Sequence, residues 1–505
     1  MFRGLFPQTE SRYCSVQKPL WRICMKMKPE WHLPDHAQAA RRTKNAIPYL
    51  EMPSLDEEQK HTGEGKKYFI STYGCQANER DSENLSGILE AMGYTPAASA
   101  EESDLILLNT CGIRENASNN VLGEVGSYKR LYKNNRDLII GICGCMSQEE
   151  GFVETLLEKY PQVRLIFGTH NIPELPDLVK RAAEGERVIE VYSREGEVVE
   201  GLPEKRKSRY KAWVNIMYGC DKFCTYCIVP YTRGKQRSRK AEEILEEIRT
   251  LKKLGYREIT LLGQNVNAYG KDLPDQPDFA GLLEMAAKTG IDRIRFMTSH
   301  PWDFSDAMID IIARYDNIMP YIHLPLQSGD DEILRRMGRR YSSGDYLELF
   351  HKIKERIPGV TVSTDIIVGF PNESDEAFEH TLDVVRECAY DSAFTFIYSP
   401  RPGTPAARME DSIPMEVKKE RLQRLNTFWN ELALEKNKGW EGRVVEVLCD
   451  GPSKKDERVW SGYTPEMKLV NFTGKDIHEG DLVRVKIDHA KTFSMDGHAL
   501  EPNEQ

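Results

Sequence analysis

The sequence predicts an α/β chain of several units: a parallel sheet flanked by helices, a partial barrel of six β/α units, and a small carboxyl-terminal β-barrel. Three observations carry this prediction. From Lys66 onward, short apolar runs alternate with amphipathic helical stretches, the pattern that buries a parallel sheet under helices on its faces. Between Ser193 and Arg209 the alternation gives way to charged, Gly- and Pro-punctuated sequence, and then it resumes. After the helical stretch Met415 to Lys438, glycines at 451, 462, 474, 480 and 497 separate short strand-like runs, which suits a barrel module of roughly 65 residues. A chain of 505 residues is too long for one core.

Taken in order, residues 1–65 mix Pro, His, Lys, Arg and Glu without a sustained period and are expected to form a disordered extension. Met25 and Met27 leave open a later translation start. The first folded unit is placed at 66–184, with strands at Tyr68–Ser71, Leu105–Leu108, Leu138–Ile142 and Leu165–Phe167. A linker is expected at 185–205. The barrel unit follows at 206–436, with strands near Val214–Met217, Glu258–Leu262, Arg293–Thr298, Tyr321–Pro325, Val362–Val368 and Ala393–Tyr398. Helices such as Ala241–Leu254 and Tyr346–Arg356 separate them, and the last unit is placed at 439–502.

No apolar run approaches the ~18 residues of a membrane span, so a soluble, cytoplasmic protein without a membrane partner is expected. The formal net charge is −10 and the pI about 5.7, a bulk charge that announces no polyanion partner. Eleven cysteines in a large chain without a secretory segment point to metal or redox chemistry rather than a disulfide framework. Cys14, Cys24, Cys388 and Cys449 are isolated and read as small apolar fillers. Cys143 lies in a strand-like run and is expected in the core.

Cys220, Cys224 and Cys227 form a C-x3-C-x2-C triplet on the loop after the apolar segment Trp213–Met217. Three thiolates so spaced can hold three irons of a cubane and leave the fourth open, where S-adenosylmethionine would bind. Structural zinc is the alternative, but it wants four ligands, and this spacing completes no usual zinc pattern. A second constellation lies in the first unit. Cys75, Cys111 and Cys145 each close a predicted strand, and in an open parallel sheet the carboxyl ends of the strands share one edge. Soft thiolates there select iron–sulfur clusters, Zn or Cu(I). Two incomplete thiolate sets imply two clusters that each do chemistry.

Around the first triplet, residues 203–240 carry eleven Lys or Arg against two acids, a local net of +9. Beside a reactive site such a belt suits phosphates, and Arg233, Lys235, Arg237 and Arg239 are its candidate RNA contacts. Arg335, Arg336, Arg339 and Arg340 could extend it. Residues 439–505 hold nine Lys or Arg against thirteen acids, so charge gives no support for RNA there. Trp460, Tyr463, Phe472 and Phe493 are available for stacking, with core packing the expected use of most. For a cosubstrate, Gly263, Gln264 and Asn265 follow a predicted strand, where barrels present ligand groups. Thr298, Ser299, Gln327 and Asp365 also lie in or near strands.

The motifs Tyr73-Gly-Cys-Gln-Ala-Asn78, Asn109-Thr-Cys-Gly-Ile-Arg114, Gly144-Cys-Met-Ser-Gln148, Cys220 to Gly234 and Leu262-Gly-Gln-Asn-Val-Asn267 together resemble the methylthiotransferase family of radical S-adenosylmethionine enzymes, over about residues 66–502. The resemblance implies a flavodoxin-like first domain, a radical-SAM partial (β/α)6 barrel and an RNA-holding TRAM module. It implies two [4Fe-4S] clusters, one to reduce S-adenosylmethionine to a deoxyadenosyl radical and one to deliver sulfur, with a second S-adenosylmethionine as methyl donor. Replacing hydrogen on carbon 2 of adenine needs such radical chemistry, which no side chain supplies. The stretch Tyr218 to Gly234 most resembles the branch that methylthiolates isopentenyladenosine at tRNA position 37. Relatives act on threonylcarbamoyladenosine in tRNA or on a ribosomal protein aspartate. A tRNA partner and a reductant protein such as flavodoxin or ferredoxin are implied too. Ala77 departs from the Met expected in this branch but removes no ligand. A zinc-stabilised RNA-binding protein without catalysis is the reading from another class.

Overall fold

The computed structural model describes residues 23–26, 48–112, 115–149, 151–191 and 197–500. In the first unit the strands are β1 (Ile23–Lys26), β2 (Tyr49–Glu51), β3 (Lys67–Thr72), β4 (Thr95–Pro96), β5 (Leu105–Thr110), β6 (Ile139–Gly144), β7 (Val163–Phe167), β8 (Arg187–Glu190) and β9 (Val198–Glu200). Seven of them form one sheet in the order β1-β8-β7-β6-β5-β3-β4, with every pairing parallel. β5, β6 and β7 are buried at every residue, because helices cover both faces of an all-parallel sheet. Strand order reverses between β3 and β5, so the cleft outside their carboxyl ends is the switch point where such sheets bind ligands. Cys143 is buried in this core, as expected, and Cys388 and Cys449 are buried in others.

Two expectations need correction. Most of the expected disordered extension at 1–65 lies outside the described residues, as do Cys14 and the side chain of Cys24. Of the rest, β1 pairs with β8 and β2 with β9. The helix Glu57–His61 is closed by a capping box of Asp56 and Gln59. Met52 and Leu55 pack on the first core. These elements are too short for a period to show, and tertiary partners fix them. Within the expected linker at 185–205, the described residues include two strands: β8 belongs to the sheet with Val188 and Ile189 fully buried, and β9 pairs with β2.

The second unit holds β10 (Lys211–Asn215), β11 (Met217–Tyr218), β12 (Arg237–Ser238), β13 (Glu258–Leu262), β14 (Arg293–Phe296), β15 (Tyr321–His323), β16 (Thr361–Val368) and β17 (Ser392–Ile397). Parallel ladders β10-β13-β14 and β15-β16-β17 meet through the bridge Ile294 to Ile318. Together they make the six-stranded partial barrel. Its helix Ala241–Lys253 shows why the period was readable: Ile244, Leu245, Ile248 and Leu251 are buried on one face, with acids in the first turn and lysines in the last.

β18 (Val444–Ser453), β19 (Asp456–Tyr463), β20 (Leu469–Thr473), β21 (Leu482–Ala490) and β22 (Met495–Ala499) close a barrel around Val447, Val470, Phe472, Val485 and Ile487. It docks under the larger barrel through buried guanidiniums. Arg293 donates to Glu446 at 2.8 Å and to the Tyr463 carbonyl at 3.0 Å, and Arg295 to the carbonyls of Thr464 and Pro465, both at 2.8 Å.

The first two units are joined by charge. Glu247, on the helix Ala241–Lys253, accepts from Arg206 at 2.6 Å and Arg239 at 2.7 Å and lies 3.6 Å from Arg80 of the helix Gln76–Ala91. Arg239 also grips Glu200 of β9 through two 2.7 Å bonds, while Arg80 and Arg206 share Glu83 and Glu204. The cationic neighbours hold the Glu247 carboxyl below its ordinary range even though burial pushes the other way. Removing it leaves three guanidiniums short of a counter-charge, so Glu247→Ala is expected to cost about 3–5 kcal/mol in denaturant unfolding. Since its folded-state pKa is depressed, this stability is complete above about pH 4.3 and is lost as pH falls through the depressed value. Wild type should therefore show an acid-side loss that the variant lacks.

Candidate catalytic site with two cysteine sets

Cys75 caps the helix Gln76–Ala91 directly after β3, Cys111 follows β5, and Cys145 opens the turn Cys145–Gln148 after β6. The three strand ends therefore bring them to the switch-point edge. Glycine makes the approach possible. At Gly74 (φ +119°) a Cβ would stand 2.3 Å from the Cys111 Cβ and 2.8 Å from its Sγ. At Gly144 (φ +91°) a Cβ would meet the Thr110 carbonyl at 2.4 Å and Asn109 Oδ1 at 2.5 Å.

Asn78 is the hub of this site. Its Oδ1 lies 3.9 Å from Cys75 Sγ and 4.0 Å from Cys145 Sγ, and its Nδ2 donates to the carbonyls of Tyr73 and Thr110. Arg233 Nη2, buried, donates to Asn78 Oδ1 and to Asp81 Oδ2, both at 2.7 Å. A hydrogen bond from Cys111, helped by Arg233, pulls the Cys75 thiol down to about 5, against the effect of burial. Burial pushes the Cys145 thiol up.

Cys220, Cys224 and Cys227 lie on the loop between β11 and β12, whose antiparallel pairing closes its base. Gly219 (φ +70°) brings the loop against Lys235, whose carbonyl would lie 2.0 Å from an added Cβ. The Cys220 amide donates to the Gly234 carbonyl at 3.2 Å. Thr225 stitches the loop to the segment after the helix Asp331–Arg336: its amide donates to Met337 at 2.9 Å and its hydroxyl to Arg336 at 2.8 Å. Burial pushes the Cys227 thiol up to about 12 and the Cys220 thiol up as well.

The donor set fits iron–sulfur clusters. Each group offers three thiols, the soft set such clusters take, and the buried carboxylate of Glu149 stands beside the Cys111 and Cys145 set. Among the described residues no three His, Cys, Asp or Glu side chains are grouped to hold a single metal ion. A cubane spreads its cysteines over three separate irons, a wider span than one ion's shell.

Two of the cosubstrate candidates, Gln264 and Asn265, are tied to the Cys220 loop. Gln264 accepts from the Gly219 amide at 2.5 Å. Asn265 Nδ2 donates to Asp303 at 2.8 Å, and Asp303 binds Lys222 of the cysteine loop at 2.7 Å. Asn265 Oδ1 and Ser299 Oγ are buried without a protein partner, groups that a polar ligand would satisfy. Gly263 directly follows β13, and its carbonyl accepts from Thr298 at 2.7 Å. Gln327 is bridged to β16, and Asp365, within β16 rather than at its end, lies 3.3 Å from His323. Phe223, Thr298 and Gln327 all hold positive φ (50°, 62° and 71°). Strained backbone of this kind gathers at functional sites, and no sequence period reports it.

The basic belt is corrected. Arg233, Arg237 and Arg239 are buried. Arg233 serves Asn78 and Asp81, Arg237 binds the carbonyls of Arg233 and Lys235, and Arg239 serves Glu200 and Glu247. Lys205, Lys207 and Lys211 also meet carboxylates. The positive run mostly answers acids that folding brings from elsewhere, which local charge counting cannot see. In the second cluster Arg335 and Arg336 share Glu332, Arg339 is buried, and Arg340 stacks over Trp302 at 4.6 Å. Of the four aromatics, Phe472 is core, Trp460 packs on it, Tyr463 lies under Lys211 at 5.4 Å, and Phe493 is exposed.

The sequence matches the Radical SAM superfamily over residues 214–385, the TRAM domain over 440–500 and the Uncharacterized protein family UPF0004 over 67–168. It is 56% identical over 470 residues, 93% of this chain and 89% of the relative, to a "tRNA-2-methylthio-N(6)-dimethylallyladenosine synthase" of Anoxybacillus flavithermus. It is 55% identical over 466 residues, 92% of each chain, to the Bacillus subtilis protein with the same name. The chain belongs to the methylthiotransferase family of radical SAM enzymes. Among solved structures, the radical S-adenosylmethionine methyltransferase TsrM from Kitasatospora setae shares the fold, with TM-score 0.50 and 14% identity over 68% of this chain and 74% of that one.

Two outcomes follow for this radical SAM chain. Gly144→Ala should displace Cys145 and cut reconstituted iron to about half, because only one set is disturbed. Arg239→Ala should lower the melting temperature without changing the salt slope of tRNA affinity, whereas loss of a phosphate contact would flatten that slope by roughly 0.7–0.9.

Proposed function

We propose that the protein methylthiolates carbon 2 of N(6)-isopentenyladenosine at position 37 of tRNA. The observation that carries this reading is the pair of separate thiol triplets, one at a switch-point edge and one on a radical-SAM loop, in a chain 56% identical to an enzyme of that name. A [4Fe-4S] cluster on Cys220, Cys224 and Cys227 would supply the electron that cleaves S-adenosylmethionine, and one on Cys75, Cys111 and Cys145 would supply sulfur.

The protein's own residues do the rest. Gly263, Gln264, Asn265, Thr298, Ser299, Gln327 and, from within β16, Asp365 bind and orient the cosubstrate. Gln264 ties that surface to the cysteine loop through Gly219. Arg233 and Asn78 lock the loop's far end to the first unit, fixing one thiol set relative to the other. Lys235 is kept as a phosphate contact, and the TRAM module as a second hold on RNA. A one-electron donor such as flavodoxin or ferredoxin completes the system. Among the described residues no helix is long and apolar enough to cross a membrane.

Single-turnover assays under anaerobic conditions test the division of labour. The Cys75→Ala/Cys111→Ala/Cys145→Ala variant should form deoxyadenosine from S-adenosylmethionine but no methylthio-nucleoside, and Cys224→Ala should form neither. Mass spectrometry of tRNA nucleosides identifies the product. A methylthiolated threonylcarbamoyladenosine, or product from the triple variant at near wild-type yield, would refute the assignment.

A further inference from the structure

Arg339 brings a buried charge to a cysteine sulfur. Its guanidinium is buried, and its bonds run from Nε to the Tyr341 hydroxyl at 2.9 Å, from Nη2 to the Pro325 carbonyl at 3.1 Å and from Nη1 to Cys224 Sγ at 3.6 Å. Arg80, Arg233, Arg239, Arg293, Arg295 and Arg421, also buried, each meet a carboxylate, and the buried Arg164 and Arg237 bond main-chain carbonyls. Arg339 forms no ion pair with a carboxylate among the described residues, and the ionisable groups closest to it in effect are Tyr341, Tyr226 and Cys224. His300, packed on Tyr341 at 6.1 Å, is kept neutral by burial.

A buried cation left without a counter-charge is strongly disfavoured. The backbone presses it there all the same: after the helix Asp331–Arg336 the chain turns at Gly338 (φ +72°), where an added Cβ would lie 3.5 to 3.7 Å from Thr225 and Cys224. The Arg339 amide is pinned to the Leu334 carbonyl at 2.9 Å. The sulfur its guanidinium reaches is that of Cys224, 3.6 Å from Nη1.

We propose that Arg339 is a positioning residue whose charge is the counter-ion of the Cys220, Cys224 and Cys227 thiolates, holding Cys224 in place and favouring the reduced, more negative state of the cluster there. The inference rests on reading that set as a cluster site. A fixed positive charge beside a redox group favours gain of an electron, and outer partners of metal ligands govern metal retention.

The test uses full-length protein carrying Cys75→Ala, Cys111→Ala and Cys145→Ala, so that only the Cys220 set can hold iron, with R339M or R339K added. Three quantities are read: melting of the metal-free protein, iron released to a chelator, and the midpoint potential under dithionite titration. R339M should melt at or above its metal-free parent, because an uncompensated buried charge has been removed. Once loaded, it should give up iron about tenfold faster and show a more negative potential, with R339K close to the parent. Unchanged iron release and potential in R339M would overturn the proposal, as would a metal-free R339M that melts well below the parent, the mark of a packing role alone. A parent that binds no iron would overturn the cluster reading itself, and the inference with it.

Discussion

The relation between the two cysteine sets depends on one shared carboxylate. Glu247 draws together Arg80 of the first sheet's helix, Arg206 at the start of the barrel unit and Arg239 beyond the cysteine loop. Three guanidiniums from separate stretches converge on it because each would otherwise be buried with too little counter-charge. A buried network of this kind adds modest stability but specifies one arrangement strongly, since breaking it leaves unpaired charge. Arg233, six residues before Arg239, then reaches Asn78 and Asp81 beside Cys75 and Cys145.

Two architectural rules converge on the same chemistry. A doubly wound sheet exposes the carboxyl ends of its strands at a switch point, and a β/α barrel gathers its ligand groups at the same end of its strands. The chain uses the first edge for Cys75, Cys111 and Cys145 and the second for the residues around Gln264 and Asn265. The charge environments differ. Arg233 is neutralised by Asp81, whereas Arg339 beside Cys224 pairs with no carboxylate among the described residues. Two chemically similar thiol sets are thereby placed in unlike fields.

Much of this was legible in the sequence. The strand β13 and the helix Met415–Lys438 occur with the bounds their patterns predicted, because long or uniformly buried elements state their period. The six cysteines were legible for a different reason: each sits at the end of a strand-like run or in one tight spacing. β2, β8 and β9 were missed since three or four residues show no period, and pairing partners far along the chain hold them. The burial of Arg233, Arg237 and Arg239 was not legible because a local charge count includes only neighbours in sequence, whereas Asp81 and Glu200 arrive through folding. Arg339 stood among four arginines with nothing to single it out, and the positive φ of Thr298 and Gln327 leaves no trace in composition.

The proposed chemistry requires a cubane on each cysteine triplet. Iron and acid-labile sulfide measured per chain in anaerobically reconstituted wild-type protein decide whether both are there. About eight of each are expected, with broad visible absorption at about 400 nm. About four irons would rule out the second cluster, and stoichiometric zinc with no sulfide would rule out both.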